Sequence, residues 1–456
     1  MTVTAKRLML AGLLATTFLV SSPAFAQTAE KAVPPALSKT DKGEIPPLIN
    51  PAVTPAAPAT LVLDQAIAWA LEKSPVLGAS ASRADAATAS RSQAGALPNP
   101  ELSIEAENIY GDGPLEGTGA AEITYGVEQL VELPGKRGNR VRVAEAETTK
   151  IHYARDGARL DLIRDITIAY AELVAAQRNL AVIEEERNLA EEVRNSVAAK
   201  VDAGKEPPIQ RNKAEIELSS SDIALERARR TVNTKTQGLA ILMGGDIGNF
   251  IVDAQSLPAL MEPEPFLSYQ GRLAQTPDTK AFNADVSQAQ AALSLEKANA
   301  FPDPTLGFGV RQFREDDSQA FVAGVSFPIP VFNINRAGIQ RAGHELNAAK
   351  LEQRGGQLSL EATLTESYAD FVSAYREAKA LDDSVLPGAE EAFSFSRQGY
   401  DAGKFGYLEV LDAQRTLFDA RRQYNEAVLD YHRQRAVIER LTAFHSDQKI
   451  QNGKEH

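Results

Sequence analysis

The chain has no cysteine, one tryptophan, four methionines and five histidines among its 456 residues. Without cysteine there can be no disulfide, no thiolate metal site and no cysteine to carry a lipid anchor, so stability has to come from packing and assembly. The methionines stand at 1, 9, 243 and 261, too scattered for a soft-metal track. Of the histidines, at 152, 344, 432, 445 and 456, none pairs with another at helical ligand spacing, and His344-Glu345 lacks the second histidine of a zinc-protease motif. They read as surface or packing residues. No catalytic constellation is present, so no cofactor is expected and an enzyme has no residues to rest on.

Long apolar runs are also scarce. Residues 8–20 form one, preceded by Lys6 and Arg7 and followed by Ala24-Phe25-Ala26, which reads as a cleavable export signal over residues 1–26. Beyond it no stretch approaches the roughly 18–20 apolar residues of a membrane-spanning helix, so any crossing of a bilayer would fall to strands. The formal charge is −13, and loss of Lys6 and Arg7 with the leader takes it to −15. That balance disfavours nucleic acid as a partner and is compatible with the passage of cations.

What is present is said twice. Asp202-Ala203-Gly204-Lys205 returns as Asp401-Ala402-Gly403-Lys404, 199 residues later; Pro98-Asn99-Pro100 returns as Pro302-Asp303-Pro304, and Asn139-Arg140 as Asn335-Arg336. Three landmarks in one order at nearly one offset predict an internal duplication. The chain divides accordingly into a signal (1–26), a proline-rich linker (27–60), a first repeat (61–257), a second (258–445) and a tail (446–456).

Each repeat opens on a helix interrupted near a proline, Pro75 or Pro277. The apolar period then falls to two, predicting strands at about 99–109 and 120–132 and again at about 304–313 and 319–329. Leu102, Ile104 and Ala106 alternate with polar residues, as do Ala121, Ile123, Tyr125 and Val127. Leu306, Phe308 and Val310, then Phe321, Ala323, Val325 and Phe327, repeat the pattern. Such strands are long enough to cross a bilayer when tilted.

Proline-free helical stretches follow, over 137–206, bounded by Pro134 and Pro207, and over 332–386, bounded by Pro330 and Pro387. About 70 helical residues would extend on the order of 100 Å. Past the first turn, Leu218, Leu225, Val232 and Leu239 form one seven-residue series and Ile209, Ile216 and Ile223 another. Two seams on one helix suit the wall of a tube. The two D-A-G-K stretches become the tips of helical hairpins, at 202–208 and 401–407.

Four strands cannot close a barrel, and hydrocarbon does not tolerate open sheet edges, so the chain has to pool its strands with other copies. The fold class expected is mainly α with a small membrane β-barrel portion. The simplest product is a barrel continued by a helical tunnel. A coiled-coil adaptor or scaffold of the periplasm would explain the hairpins but not the strands.

This order of elements, twice over, resembles the TolC-type outer-membrane efflux proteins across nearly the whole mature chain. Gln93-Ala94-Gly95, Pro98-Asn99-Pro100-Glu101-Leu102 and Glu132-Leu133-Pro134-Gly135-Lys136-Arg137 look most like its cobalt-zinc-cadmium branch. The resemblance implies a homotrimer with twelve strands and twelve tunnel helices, a periplasmic adaptor, an inner-membrane proton-driven pump, and a place in the outer membrane of a Gram-negative bacterium. A duct for drugs or secreted polypeptides has the same fold.

Residues 403–413 resemble the family's constriction, placing Glu409 and Asp412 at its acidic positions, where a trimer would focus six carboxylates. The first repeat has Gln210 and Lys213 there instead. Tyr400 matches a position that holds the tunnel shut, whereas Phe405 and Gln210 replace charged partners found in some relatives. Asp202, Gly204, Lys205, Asp401, Gly403 and Lys404 resemble the adaptor-facing tips.

Overall fold

The structure is a computed structural model that describes residues 60–133, 135–245 and 250–444. The signal, nearly all of the proline-rich segment and the tail lie outside the described residues. The chain runs β1 (Thr60–Leu61), α1 (Leu63–Lys73), α2 (Pro75–Ala94), β2 (Glu101–Glu107), β3 (Glu122–Leu130), α3 (Lys136–Asp202) and α4 (Pro208–Leu242). It continues as β4 (Ile251–Val252), α5 (Phe266–Arg272), α6 (Pro277–Asn299), β5 (Thr305–Phe313), β6 (Gln319–Ser326), α7 (Arg336–Ala380), α8 (Leu386–Asp401) and α9 (Tyr407–Thr442). It is mainly helical.

Proline marks helix starts: Pro75, Pro208 and Pro277 each stand in a first turn, where a missing N–H costs nothing. Pro387 behaves differently from a boundary. Helix continues from Arg336 to Asp401 through a π turn at Leu381–Val385, where the Leu386 N–H reaches back to the Leu381 carbonyl. The widened turn stands where the proline ring would otherwise crowd the preceding carbonyls.

Both D-A-G-K stretches form the same helix stop. Gly204 and Gly403 have φ of 67° and 72°. Lys205 N–H donates to the Lys200 carbonyl at 2.9 Å and Gly204 N–H to that of Val201 at 2.9 Å; Lys404 donates to Gly399 at 2.8 Å and Gly403 to Tyr400 at 3.0 Å. The left-handed glycine is what lets two otherwise orphaned carbonyls be satisfied.

Four strands form one antiparallel sheet in the order β2-β3-β5-β6. They are a little shorter than the ranges read from the sequence. Their register stacks like with like: Leu102, Val127, Phe308 and Ala323 form one cross-strand row, and Ile104, Tyr125, Val310 and Phe321 the next row on that face. The other face carries Glu101, Glu128, Gly307 and Gly324, then Ser103, Gly126, Gly309 and Val322, then Glu105, Thr124, Arg311 and Ala320. Opposed residues share a face, so the sheet has one apolar and one polar side. None of the described residues covers the apolar side: Leu102 is 76% exposed and Phe321 95%. At Gly309 a Cβ would lie 2.7 Å from the Tyr125 carbonyl, so the close strand approach there depends on glycine.

The helices stand side by side in two tiers, with α3 spanning both. In the tier next to the sheet α2, α3, α6 and α7 are successive neighbours; in the other the order is α4, α3, α9 and α8. The α3–α6 contact includes Asn139 donating to the Ser294 carbonyl at 3.2 Å and Lys150 paired with Asp285 at 2.7 Å. Where the tiers meet, Tyr170 is buried with its Oη 2.7 Å from the Leu61 carbonyl, 2.9 Å from that of Asp253 and 2.7 Å from Ser256 Oγ. Around it pack Leu61, Ile67, Ile166, Leu173, Leu239 and Met243. A second core gathers Tyr269, Leu364, Phe371, Tyr431 and Ile438.

The α3–α9 seam that joins the halves is polar. Asp161 takes Arg440 at 2.7 Å, Glu172 takes Arg433 at 2.6 Å, Asn179 takes Asn425 at 2.8 Å and Glu186 takes Arg422 at 2.8 Å. Burial pushes the Glu172 carboxyl up, but hydrogen bonds from Lys235 and Arg433 outweigh it and hold the group below the usual range.

Candidate functional site

At the end away from the sheet the two hairpins come together. Val197 of α3, Ala214 of α4, Tyr400 of α8 and Tyr407 and Val410 of α9 bury one another. Two ion pairs tie the hairpins across this cluster, Arg397 to Glu192 at 3.3 Å and Arg415 to Glu217 at 2.6 Å.

Glu409 and Asp412 lie on the first turns of α9, exposed and on one face. Neither has an ion-pair partner among the described residues. The Glu409 carboxylate folds back over the helix start, 2.9 Å from where a Cβ on the N-cap residue Gly406 would stand. It thereby meets the positive end of the helix dipole, while Asp412, one turn on, has only solvent. Gln210 and Lys213 occupy the matching turn of α4, and the Gln210 Oε1 is buried without a hydrogen-bond partner.

Tyr400 is 6% exposed, and Lys200 Nζ lies over its ring, 3.3 Å from the centroid. Its hydroxyl is buried and makes no hydrogen bond. A ring under a cation is satisfied on its face but not at its oxygen. The Lys200 contact was not read from the sequence, although Lys200 stands two residues before the first D-A-G-K. On the tips, Asp202 is held by Arg211, whereas Lys205, Asp401 and Lys404 are exposed and make no ion pair among the described residues.

The polar face of the sheet is a second charged surface, and its pairings were not read from the sequence either. Arg311 takes Glu107 at 2.9 Å, Glu122 at 3.0 Å and Thr124 Oγ1 at 2.9 Å. Glu101 and Glu128 face one another directly across β2 and β3 with no cation between them. Like charges opposed in this way cost stability, in contrast to the cross-strand ties that Arg311 makes.

A family profile described as Outer membrane efflux protein matches residues 66–245 and 269–443. The chain belongs to this outer membrane efflux family. Among its relatives, the cobalt-zinc-cadmium resistance protein CzcC of Cupriavidus metallidurans is 29% identical over 84% of this chain and 90% of its own length. The nickel-cobalt-cadmium resistance protein NccC of Alcaligenes xylosoxydans xylosoxydans is 28% identical over 72% and 71%. A solved membrane protein from Pseudomonas aeruginosa has the same fold, with a TM-score of 0.71 at 18% identity over 84% of this chain and 91% of that one.

Within this efflux protein no helix of the described residues is long and apolar enough to cross a membrane. Among the described residues no three metal-ligating side chains gather as a site either. His432 is buried in α9, and burial, with Arg435 and Arg178 nearby, pushes its imidazole down to about 4. It is a neutral packing residue beside the Tyr431 ring at neutral pH.

Proposed function

We propose that three copies of this chain form one passive duct, a twelve-strand barrel in the outer membrane continued by a twelve-helix tunnel across the periplasm, through which divalent heavy-metal cations leave the cell. The chain is the outer-membrane component of a tripartite system with a periplasmic adaptor and an inner-membrane proton-driven pump. Its two repeats, 61–257 and 258–445, supply two strands and two tunnel helices each.

One observation carries the reading: a four-stranded sheet with one apolar and one polar face, open at β2 and β6, on top of two tiers of four adjacent helices. Lipid covers the apolar face, and neighbouring copies close the edges. The polar face then lines the pore with Glu101, Glu105 and Glu128, while Arg311 on that face is taken up by Glu107 and Glu122. At the tip, Glu409 and Asp412 narrow the tunnel with carboxylates, Tyr400 under Lys200 holds the hairpins together, and the two D-A-G-K turns meet the adaptor. The metal assignment is supported by the names of the resistance proteins it resembles and by carboxylate at both ends of the path.

The test is growth of a strain lacking the gene, with and without complementation, across graded zinc, cobalt, cadmium, nickel and copper and a panel of lipophilic drugs. Metal hypersensitivity rescued by the intact gene is expected. Sensitivity to drugs alone would discard the metal assignment and keep the duct.

A further inference from the structure

The outer side of α4 carries a stripe that none of the described residues covers. Ile216, Ile223 and Arg230 each stand two residues past Ala214, Ser221 and Ala228, which face α3, and so lie about 200° round the helix from that contact. Ile216 is 68% exposed and Ile223 55%, and Arg227 beside them has no carboxylate partner among the described residues. The far side of α8, at the opposite edge of the same tier, is its counterpart in kind. Phe395 is exposed there, and Glu391, two residues past the buried Ala389, has no cationic partner among the described residues.

Internal ion pairs fix the heights of these residues. One guanidinium, Arg421, holds Glu185 of α3 at 2.7 Å and Glu390 of α8 at 3.2 Å, so those two carboxylates are level. On the other flank of α3, Arg187 takes Asp222 at 2.9 Å and Glu184 takes Arg229 at 3.7 Å, which sets residue 185 level with about residue 227 of α4. Arg227 therefore stands at the height of Glu390 and Glu391. Because α4 runs away from the tip and α8 towards it, four residues along brings Ile223 level with Phe395.

We propose that α4 of one copy docks on α8 of the next, with Ile223 against Phe395 and Arg227 paired with Glu391. The occupant is a second copy of this chain, and charge complementarity at matched height is what selects it over another apolar partner. The contact is head-to-tail: the two edges differ, so each copy offers α4 on one side and α8 on the other, and the ring closes by rotation. At the sheet the same two sides are offered by β2 and β6. This inference rests on the trimeric reading above and assigns the seam that holds it.

The absence of cysteine makes the test free of background. In the full chain purified from outer membranes, Ile223→Cys and Phe395→Cys alone are expected to give only monomer on a denaturing gel after treatment with a short bismaleimide. The double variant is expected to give linked dimer and trimer. A native trimer in which the double variant fails to link would place the seam elsewhere and leave the duct standing, whereas a native monomer would overturn both. Linking by Ile223→Cys alone would overturn the head-to-tail contact. As a second measure, Arg227→Glu or Glu391→Arg alone is expected to lower the trimer fraction roughly tenfold and the two together to restore it; no restoration would overturn the pair.

Discussion

Val127→Lys is expected to keep the protein out of the outer membrane, while Glu128→Lys one residue along is assembled normally. Val127 lies near the middle of β3 in a row with Leu102, Phe308 and Ala323, and that face has no cover among the described residues. If lipid covers it, a lysine there costs about 2–4 kcal/mol per copy, and three copies bring the penalty to roughly 6–12 kcal/mol. Each 1.4 kcal/mol is about a factor of ten in an equilibrium, so outer-membrane content should fall by at least tenfold. Glu128 sits on the opposite face beside Glu101, where a lysine relieves a like-charge contact. Immunoblots of separated membranes decide the matter. Normal insertion of Val127→Lys with failure of Glu128→Lys would mean that the faces are assigned inside out.

The second large effect is on ion preference. With Glu409→Gln and Asp412→Asn together, a trimer loses six carboxylates from its narrow end. At about 10 Å from the axis in water each contributes about 0.4 kcal/mol towards a monovalent cation, and six give about 2.5 kcal/mol before screening. At low salt, where the Debye length is about 30 Å, most of this survives. The cation-over-anion permeability ratio, read from reversal potentials across a planar bilayer, should drop by at least about tenfold, and metal tolerance with it. An unchanged ratio would move selectivity from the tip to Glu101, Glu105 and Glu128 on the sheet. Glu409 also rests against the start of α9, so a thermal melt should accompany the measurement. A small loss there belongs to the helix dipole and not to the pore.

Much of this fold was legible because its signals are local. The alternation from Leu102 to Ala106 and from Phe321 to Phe327 marks strands directly, and the register then needs only antiparallel pairing to bring Leu102, Ile104, Tyr125, Val127, Phe308, Val310, Phe321 and Ala323 to one face. Gly204 and Gly403 mark helix stops because only glycine enters that turn without strain. The features that escaped the sequence depend on distant partners. Arg433 and Glu172 are 261 residues apart, so no period announces the polar seam between α3 and α9. Lys200 above Tyr400 joins two hairpins, and a lysine near a helix end has an ordinary explanation by itself. Pro387 was read as a boundary because proline usually is one; the π turn before it lets the helix pass.

The tip residues were legible only in part. Spacing puts Glu409 and Asp412 on one face, but under the proposed trimer their role depends on what stands across the axis, and that would belong to other copies of the chain. The same dependence explains why a chain of this size leaves Ile209, Ile216 and Ile223, and most of one sheet face, in solvent. Under the proposed assembly these surfaces are finished by neighbouring copies and lipid.

The most direct measurement is electron cryomicroscopy of the protein extracted from outer membranes in mild detergent. The expected particle has threefold symmetry, a short barrel closed from β2 of one copy to β6 of the next, and a helical tube on one side of it with a single axial passage. A monomer, a twofold dimer or a helical assembly with no barrel would contradict the duct.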